Sequence, residues 1–219
     1  MLFRDRSDAG RHLADRLQHL RGEDLVVLGL PRGGVPVAAE IAAALEAPLD
    51  VIVVRKVGVP GRAELAMGAV GEDGVVVHDD QVLRLAGVAE AEFVRERVAQ
   101  EAEVRRRARL FRDVRRRVPL AGRTAVIVDD GVATGSTARA ACAVARAQGA
   151  SRVILAVPVC APDAVTALSA AVDELVSLAV PLDFRAVGQA YADFRATEDE
   201  EVLGLLRRWV DDGRPGQPL

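Results

Sequence analysis

The residues best placed to do chemistry lie in one run, Val-Ile-Val-Asp-Asp-Gly-Val-Ala-Thr-Gly-Ser-Thr over positions 126–137. Asp129 and Asp130 precede a turn that carries the hydroxyls of Thr134, Ser136 and Thr137. Carboxylates accept hydrogen bonds from a diol or bind a hard cation. Unpaired backbone N–H groups and hydroxyls at a helix start instead receive an anion. A phosphate pocket alone has no use for two acids beside it. A ligand with a phosphate at one end and a diol or a metal chelate next to it satisfies both halves, at about 1.5–3 kcal/mol per charge-assisted bond. Ribose 5-phosphate has that shape. The competing explanation is an ordinary strand–turn–helix with capping residues.

Two other phosphate loops do not fit. A Walker A loop requires Lys-Ser/Thr after its second glycine, and no lysine follows Gly135. A dinucleotide fingerprint requires Gly-x-Gly-x-x-Gly after a strand, and no strand candidate is followed by one.

Positioning such a site takes a strand that ends at the acids and a helix that begins after the turn. Val126, Ile127 and Val128 read as a buried parallel strand, and an Ala-rich helix opens near Ser136. The same order occurs upstream, with an apolar strand at 25–30, a glycine turn at 31–34, an Ala-rich helix at 35–47 and a second buried strand at 49–55. Strands at 153–159 and 174–178 extend the pattern, which right-handed crossovers turn into a parallel sheet flanked by helices. An antiparallel hairpin within 57–78 interrupts it, with short strands at 66–70 and 75–78 around Gly71-Glu72-Asp73-Gly74. Ser7 is expected to cap an N-terminal helix whose apolar side is Ala9, Leu13, Leu17 and Leu20, ending near Gly22.

Positions 89–118 read as one long charged helix. Val104, Ala108, Phe111, Val114 and Val118 share one side, and Arg105, Arg109, Arg112 and Arg116 another. The arginine stripe reads as a solvated face rather than an RNA surface. Glu101–Arg105 and Glu103–Arg107 pairs neutralise part of it, and no aromatics interleave it.

In an open α/β sheet, ligands bind beyond the carboxyl ends of the strands, so the turns after Leu30, Arg55 and Asp130 should converge. Arg32-Gly33-Gly34 lets backbone amides approach an oxyanion beside a guanidinium fork. Arg55-Lys56 closes the second strand before a glycine-rich stretch, 57–64, that is free to move. Lys56 is the only lysine among 29 basic side chains, a compact charge suited to phosphate. Rings cluster late in the chain, where Phe184, Tyr191 and Phe194 share one polar segment and could stack on a flat base. Packing of a C-terminal lobe under Trp209 explains that cluster equally well.

The run 126–137 resembles the phosphoribosyl pyrophosphate (PRPP) motif of the type I phosphoribosyltransferases: apolar residues, an acidic pair, small or apolar residues, then Ala/Asp-Thr-Gly-x-Thr. Within that family the chain is most similar to the bacterial group of predicted phosphoribosyltransferases rather than to members with a known base. The resemblance implies an α/β PRPP-binding core over 1–180, and a small hood with a C-terminal helix over 181–219. It implies that Asp129 and Asp130 hold the ribose hydroxyls, while Gly131, Ala133, Thr134, Gly135, Ser136 and Thr137 wrap the 5-phosphate. Arg32, Gly33 and Gly34 look like the family's pyrophosphate loop, and Arg55-Lys56 is similar to the pair that precedes its flexible loop. The hood of purine-type members is matched by Phe184, Val187, Tyr191 and Asp193 as base contacts. The spacing departs from that pattern on each side of Gly188, which leaves open which ring stacks.

The implied reaction displaces pyrophosphate from C1 of PRPP by a nitrogenous base with Mg²⁺. Asp129, Asp130, Arg32 and Lys56 would form the catalytic set. No dedicated metal cage is expected, because Mg²⁺ is held through pyrophosphate and ribose oxygens with Asp129 and Asp130 in reach. Members acting on 6-oxopurines often carry Asp where this chain has Ala133, so a plain hypoxanthine–guanine activity is not expected. Any general base then falls to Glu64 or Asp193. The alternatives are a PRPP- or nucleotide-sensing regulator that keeps the pocket without turnover, and salvage or hydrolysis of another phosphorylated sugar.

Composition fits these expectations. With 219 residues, half of them hydrophobic, the chain can bury one core, and its net charge of −3 gives no global attraction to nucleic acid or anionic membrane. The start Met1-Leu2-Phe3-Arg4-Asp5-Arg6 has no apolar signal core, and no apolar run reaches the roughly 18 residues of a membrane helix. Cys142 and Cys160 are expected as buried thiols in a reducing cytoplasm. PRPP and a base are the expected partners, without membrane or nucleic acid, and the resemblance allows a homodimer.

Overall fold

The computed structural model describes residues 2–211. The chain runs α1 (Arg6–Arg16), β1 (Leu25–Gly29), α2 (Gly34–Leu45), β2 (Leu49–Val51), β3 (Val54–Val59), β4 (Arg62–Gly71), β5 (Val76–His78), α3 (Asp80–Ala86) and α4 (Glu90–Arg112). It continues through β6 (Thr124–Val128), α5 (Ser136–Ala147), β7 (Arg152–Val159), α6 (Pro162–Ser169), β8 (Glu174–Ala179) and α7 (Asp199–Asp211). Residues 212–219, the end of the expected C-terminal segment, lie outside the described residues.

Five strands form a parallel sheet in the order β2-β1-β6-β7-β8. Their side chains alternate between two cores, as the two-residue period of a strand requires. Leu25, Val27, Val126, Val128 and Ile154 pack with α1, α2 and α7. Val26, Leu28, Ala125, Ile127 and Leu155 pack with α5 and α6. The central pair β1 and β6 is in register from Leu25↔Thr124 to Gly29↔Val128, so the turns after both strands leave the sheet at the same level. Trp209 of α7 is buried against the first core.

The second buried strand expected at 49–55 is two strands in two sheets. β2 stops at Val51, and β3 starts a separate antiparallel sheet of order β3-β4-β5. Arg55 and Lys56 therefore lie inside β3, opposite Val70 and Ala69, and not at the end of a parallel strand. The glycine-rich stretch 57–64, expected as a mobile loop, is mostly strand turning tightly at Pro60-Gly61. Gly58 makes this possible, since a Cβ there would lie 2.7 Å from the Ala63 carbonyl oxygen of the facing strand. The expected hairpin at 57–78 is thus a three-stranded sheet, with its second turn at 72–74 as anticipated.

The long helix ends at Arg112 and not at 118. Arg112, placed by the sequence on a solvated stripe, turns inward. Its Nε and Nη2 donate to Glu72 at 2.6 and 2.8 Å, its Nη1 to Asp50 Oδ1 at 2.7 Å, and its Nη2 to the Val51 carbonyl at 3.1 Å. The Val118 N–H then donates to Asp50 Oδ2 at 2.9 Å, so the chain after Arg112 must leave the helical path to reach the same carboxylate. Val118 also precedes Pro119, which disfavours helix there. On the outer face, Glu101 pairs with Arg97 rather than Arg105, and Glu103 with Arg106, Arg107 and Arg55. At the N-terminus Asp5, not Ser7, caps α1 by accepting from the Asp8 N–H at 2.8 Å.

Arg112 therefore joins β2 of one sheet to the β4–β5 turn of the other. Asp50 is fully buried, so removing its cation leaves an uncompensated charge in the interior. Arg112→Met is expected to destabilise the fold by about 3–5 kcal/mol, read from the urea denaturation midpoint.

Candidate active site

The acidic pair stands where β6 stops. Val128 is fully buried; Asp129 and Asp130, next along the chain, are half-buried. Gly135, at φ 75°, supplies the left-handed turn before α5 begins at Ser136, so the first N–H groups of α5 face the same turn as the acids. A cleft of 220 Å³ follows the turn, lined by Asp129, Gly131 through Ala138 and Val187. It holds every residue expected around the 5-phosphate, together with Val187 from the expected base contacts.

A second cleft of 130 Å³ is lined by Leu30 and Pro31 after β1, by Arg55 and Lys56 of β3, by Arg107 and Phe111 of α4, and by Thr137. Thr137 lines both. The three turns expected to converge do so, although Arg55 and Lys56 arrive from the antiparallel sheet. Arg107 is an addition, since the sequence placed it on the solvated side of the long helix.

The Arg32-Gly33-Gly34 turn approaches the acids as backbone. A Cβ at Gly33 would sit 2.0 Å from Asp130 Oδ2, and one at Gly34 would sit 2.4 Å from the Val128 carbonyl oxygen. Glycine is required at 34, where the neighbour is strand backbone; at 33 it lets the Asp130 carboxylate lie against the turn. The Pro31–Arg32 peptide bond is cis.

A second side chain, besides Arg107, has no signal in the sequence. Arg6, in the first turn of α1 and 124 positions from Asp130, donates Nε to Asp130 Oδ2 at 2.8 Å, with Nη2 at 2.8 Å from the same oxygen. Its Nη1 donates to the Arg195 carbonyl at 2.7 Å, and its guanidinium carbon lies 4.1 Å from the centre of the Phe194 ring. No local spacing announces such a pair.

Electrostatics make the two acids unequal. Burial and the neighbouring Asp130 push Asp129 up to about 8, only partly opposed by the Asp130 N–H, which donates to Asp129 Oδ1 at 2.9 Å. Burial also pushes Asp130 up, against the pull of Arg6.

The aromatic segment supports this cluster. Tyr191 is 2% exposed, its hydroxyl donates to the Asp130 carbonyl oxygen at 2.5 Å, and burial raises its phenol. Its ring lies 5.6 Å from Phe3 and stacks 5.0 Å from Phe194. Phe184 packs in the same group with Val187. Tyr191 is thus a covered support and offers no open face to a base.

Comparison with known proteins fits this architecture. The family model for the phosphoribosyl transferase domain matches residues 6–194. The chain belongs to the phosphoribosyltransferase family. It is 56% identical over 207 residues to a Mycobacterium tuberculosis protein provisionally named a phosphoribosyl transferase, a match that covers 94% of this chain and 47% of that one. The same values hold for the protein of a second strain, and the chain spans about half the length of these curated relatives. The crystal structure of TT1426 from Thermus thermophilus is 48% identical, with a TM-score of 0.90, covering 95% of this chain and 99% of that one.

Both carboxylates expected as alternative general bases are paired with cations. Glu64 pairs with Lys56 at 2.8 Å, and Asp193 is held below the usual carboxylate range by Arg195 at 2.7 Å. Arg32 stands 3.5 Å from Glu198.

The raised Asp129 has a consequence for stability. Folded protein keeps a proton that the unfolded chain releases near its ordinary value of 3.8, so stability falls as pH rises from about 4 to 8. Asparagine cannot ionise. Without metal or ligand, Asp129→Asn is expected to gain stability over the parent as pH rises through that window, measured as melting temperature against pH. Gly34→Ala should cost about 1–3 kcal/mol in urea denaturation, because its neighbour is a strand carbonyl that cannot yield.

Proposed function

We propose that the chain transfers the 5-phosphoribosyl group of PRPP to a nitrogenous base, releasing pyrophosphate. The observation that carries this reading is Thr137. The hydroxyl-rich phosphate cleft and the cationic cleft of Arg55 and Lys56 meet at that residue, so one ligand with a phosphate at one end and a pyrophosphate at the other spans both.

The roles follow from position. Residues 133–137 receive the 5-phosphate at the start of α5. Asp129 and Asp130 hold the ribose hydroxyls, and the Asp130 carboxylate, ionised beside Arg6, favours the positive charge that develops at C1 as its bond to pyrophosphate breaks and a base nitrogen bonds there. Arg32, Arg55 and Lys56 take up the charge of the departing pyrophosphate. Catalysis is then a matter of placement and field, with no covalent intermediate on the protein.

The cations are not free beforehand, and the magnitudes decide whether that matters. Glu64 and Glu198, the partners of Lys56 and Arg32, are 87% and 66% exposed at the side chain. Pairs so exposed contribute about 0–1 kcal/mol, less than the roughly 1.5–3 kcal/mol of a charge-assisted bond to phosphate. At Lys56 and Arg32 the ligand wins the exchange.

The donor set also suits Mg²⁺. Among the described residues no cluster of three or more His, Cys, Asp or Glu side chains could hold a metal. Two adjacent carboxylates beside an anion cleft match an ion that keeps waters and substrate oxygens as most of its ligands. Asp129 and Asp130 would hold it with the pyrophosphate and ribose oxygens, and it would supply charge to the leaving group.

The test is a panel of purines, pyrimidines and orotate incubated with Mg²⁺ and PRPP, scored by pyrophosphate release. Base-dependent release, abolished in Asp129→Asn and lowered about 10²-fold in kcat by Lys56→Ala, is expected. PRPP binding without turnover on any base would replace the transferase with a PRPP-sensing regulator.

A further inference from the structure

A guanidinium has three nitrogens and a flat face, and Arg6 puts each of them in contact with the protein. Nε and Nη2 close on one oxygen of Asp130, Nη1 reaches the Arg195 carbonyl, and the face lies on Phe194. With only 12% of its side chain exposed, Arg6 is held more firmly than a surface arginine. Its partner is held as firmly. The Asp130 carboxylate rests against the Gly33 backbone, where no Cβ would fit, and the Asp130 carbonyl accepts from buried Tyr191. Arg6 thus binds together the pyrophosphate turn, the acidic pair and the segment 191–195.

We propose that Arg6 is a positioning residue for the transfer reaction, fixing the Asp130 carboxylate against the Arg32-Gly33-Gly34 turn so that the acidic pair meets the ribose in one arrangement. This rests on the PRPP reading above. Arg6 occupies Oδ2 alone, so it orients the carboxylate without taking both of its oxygens. It acts through Asp130 and is not itself placed on the reacting atoms. Lysine cannot substitute fully, because a single ammonium cannot bridge Asp130 and the Arg195 carbonyl while lying flat on a ring.

The experiment is isothermal titration of Mg²⁺–PRPP into the parent chain, Arg6→Met, Arg6→Lys, Asp130→Asn and the Arg6→Met/Asp130→Asn double variant. No acceptor base is needed. Arg6→Met is expected to weaken Kd about tenfold with unchanged stoichiometry, corresponding to roughly 1.4 kcal/mol, and Arg6→Lys to recover part of that loss. In the Asp130→Asn background, Arg6→Met should add less than about twofold, since the group it acts through is already altered. A merely structural role would lower the stoichiometry as molecules unfold and leave Kd alone. An unchanged Kd in Arg6→Met, or losses that multiply in the double variant, would overturn the proposal while PRPP binding by the parent stands. A parent chain that binds no Mg²⁺–PRPP overturns the transfer reading and this inference with it.

Discussion

Two consecutive carboxylates at the end of a buried strand are a standing electrostatic problem, and much of this fold is arranged around it. Asp129 meets it by holding its proton up to about 8, and Asp130 by pairing with a cation. Asp129 and Asp130 lie half-buried, where water screens them incompletely. The nearest relief is Arg6, which belongs to a helix at the other end of the chain. α1 must therefore lie against the sheet with its N-terminus at the carboxyl end of β6, and Asp5, its cap, fixes that end. The late aromatic segment covers the arginine and supports the acid from behind. Beginning and end of the matched family domain thus meet at its middle.

Local chemistry was the most legible part of the sequence. The β6–turn–α5 run could be placed because an apolar strand, an acidic pair and a helix start are all properties of adjacent residues. The parallel sheet was equally visible in its Val- and Leu-rich runs. The boundary between β2 and β3 was not. Ile52 and Val53 continue an apolar run without a break, because both are buried where the two sheets meet, and hydrophobicity cannot say which sheet a residue joins. The end of α4 was hidden for a related reason. Val114 and Val118 keep helical spacing, yet the pull of Asp50 on the Val118 N–H decides the path.

Within the site, the residues that sequence missed are those whose role depends on distant contacts. Arg6 and Arg107 have no motif; they are two arginines in a chain that uses arginine almost everywhere. Conversely, Tyr191 belongs to a ring cluster that suggested stacking on a base, and only the hydrogen bond to the Asp130 carbonyl and the contact with Phe3 show what its ring does. Composition marked the cluster. Burial assigned Tyr191 to support.

The placement of Lys56 in a strand has an entropic meaning. A cation on a mobile loop must be ordered each time a ligand arrives, at about 1–2 kcal/mol for each backbone residue fixed. Lys56 sits opposite Ala69 in a paired ladder, flanked by α4 and α5 and tethered through Arg112 to the neighbouring sheet. Its backbone has been ordered once, during folding. Only the side chain remains to be immobilised, so the sheet acts as a rigid mount for the charge, and more of the phosphate interaction is left to appear as affinity.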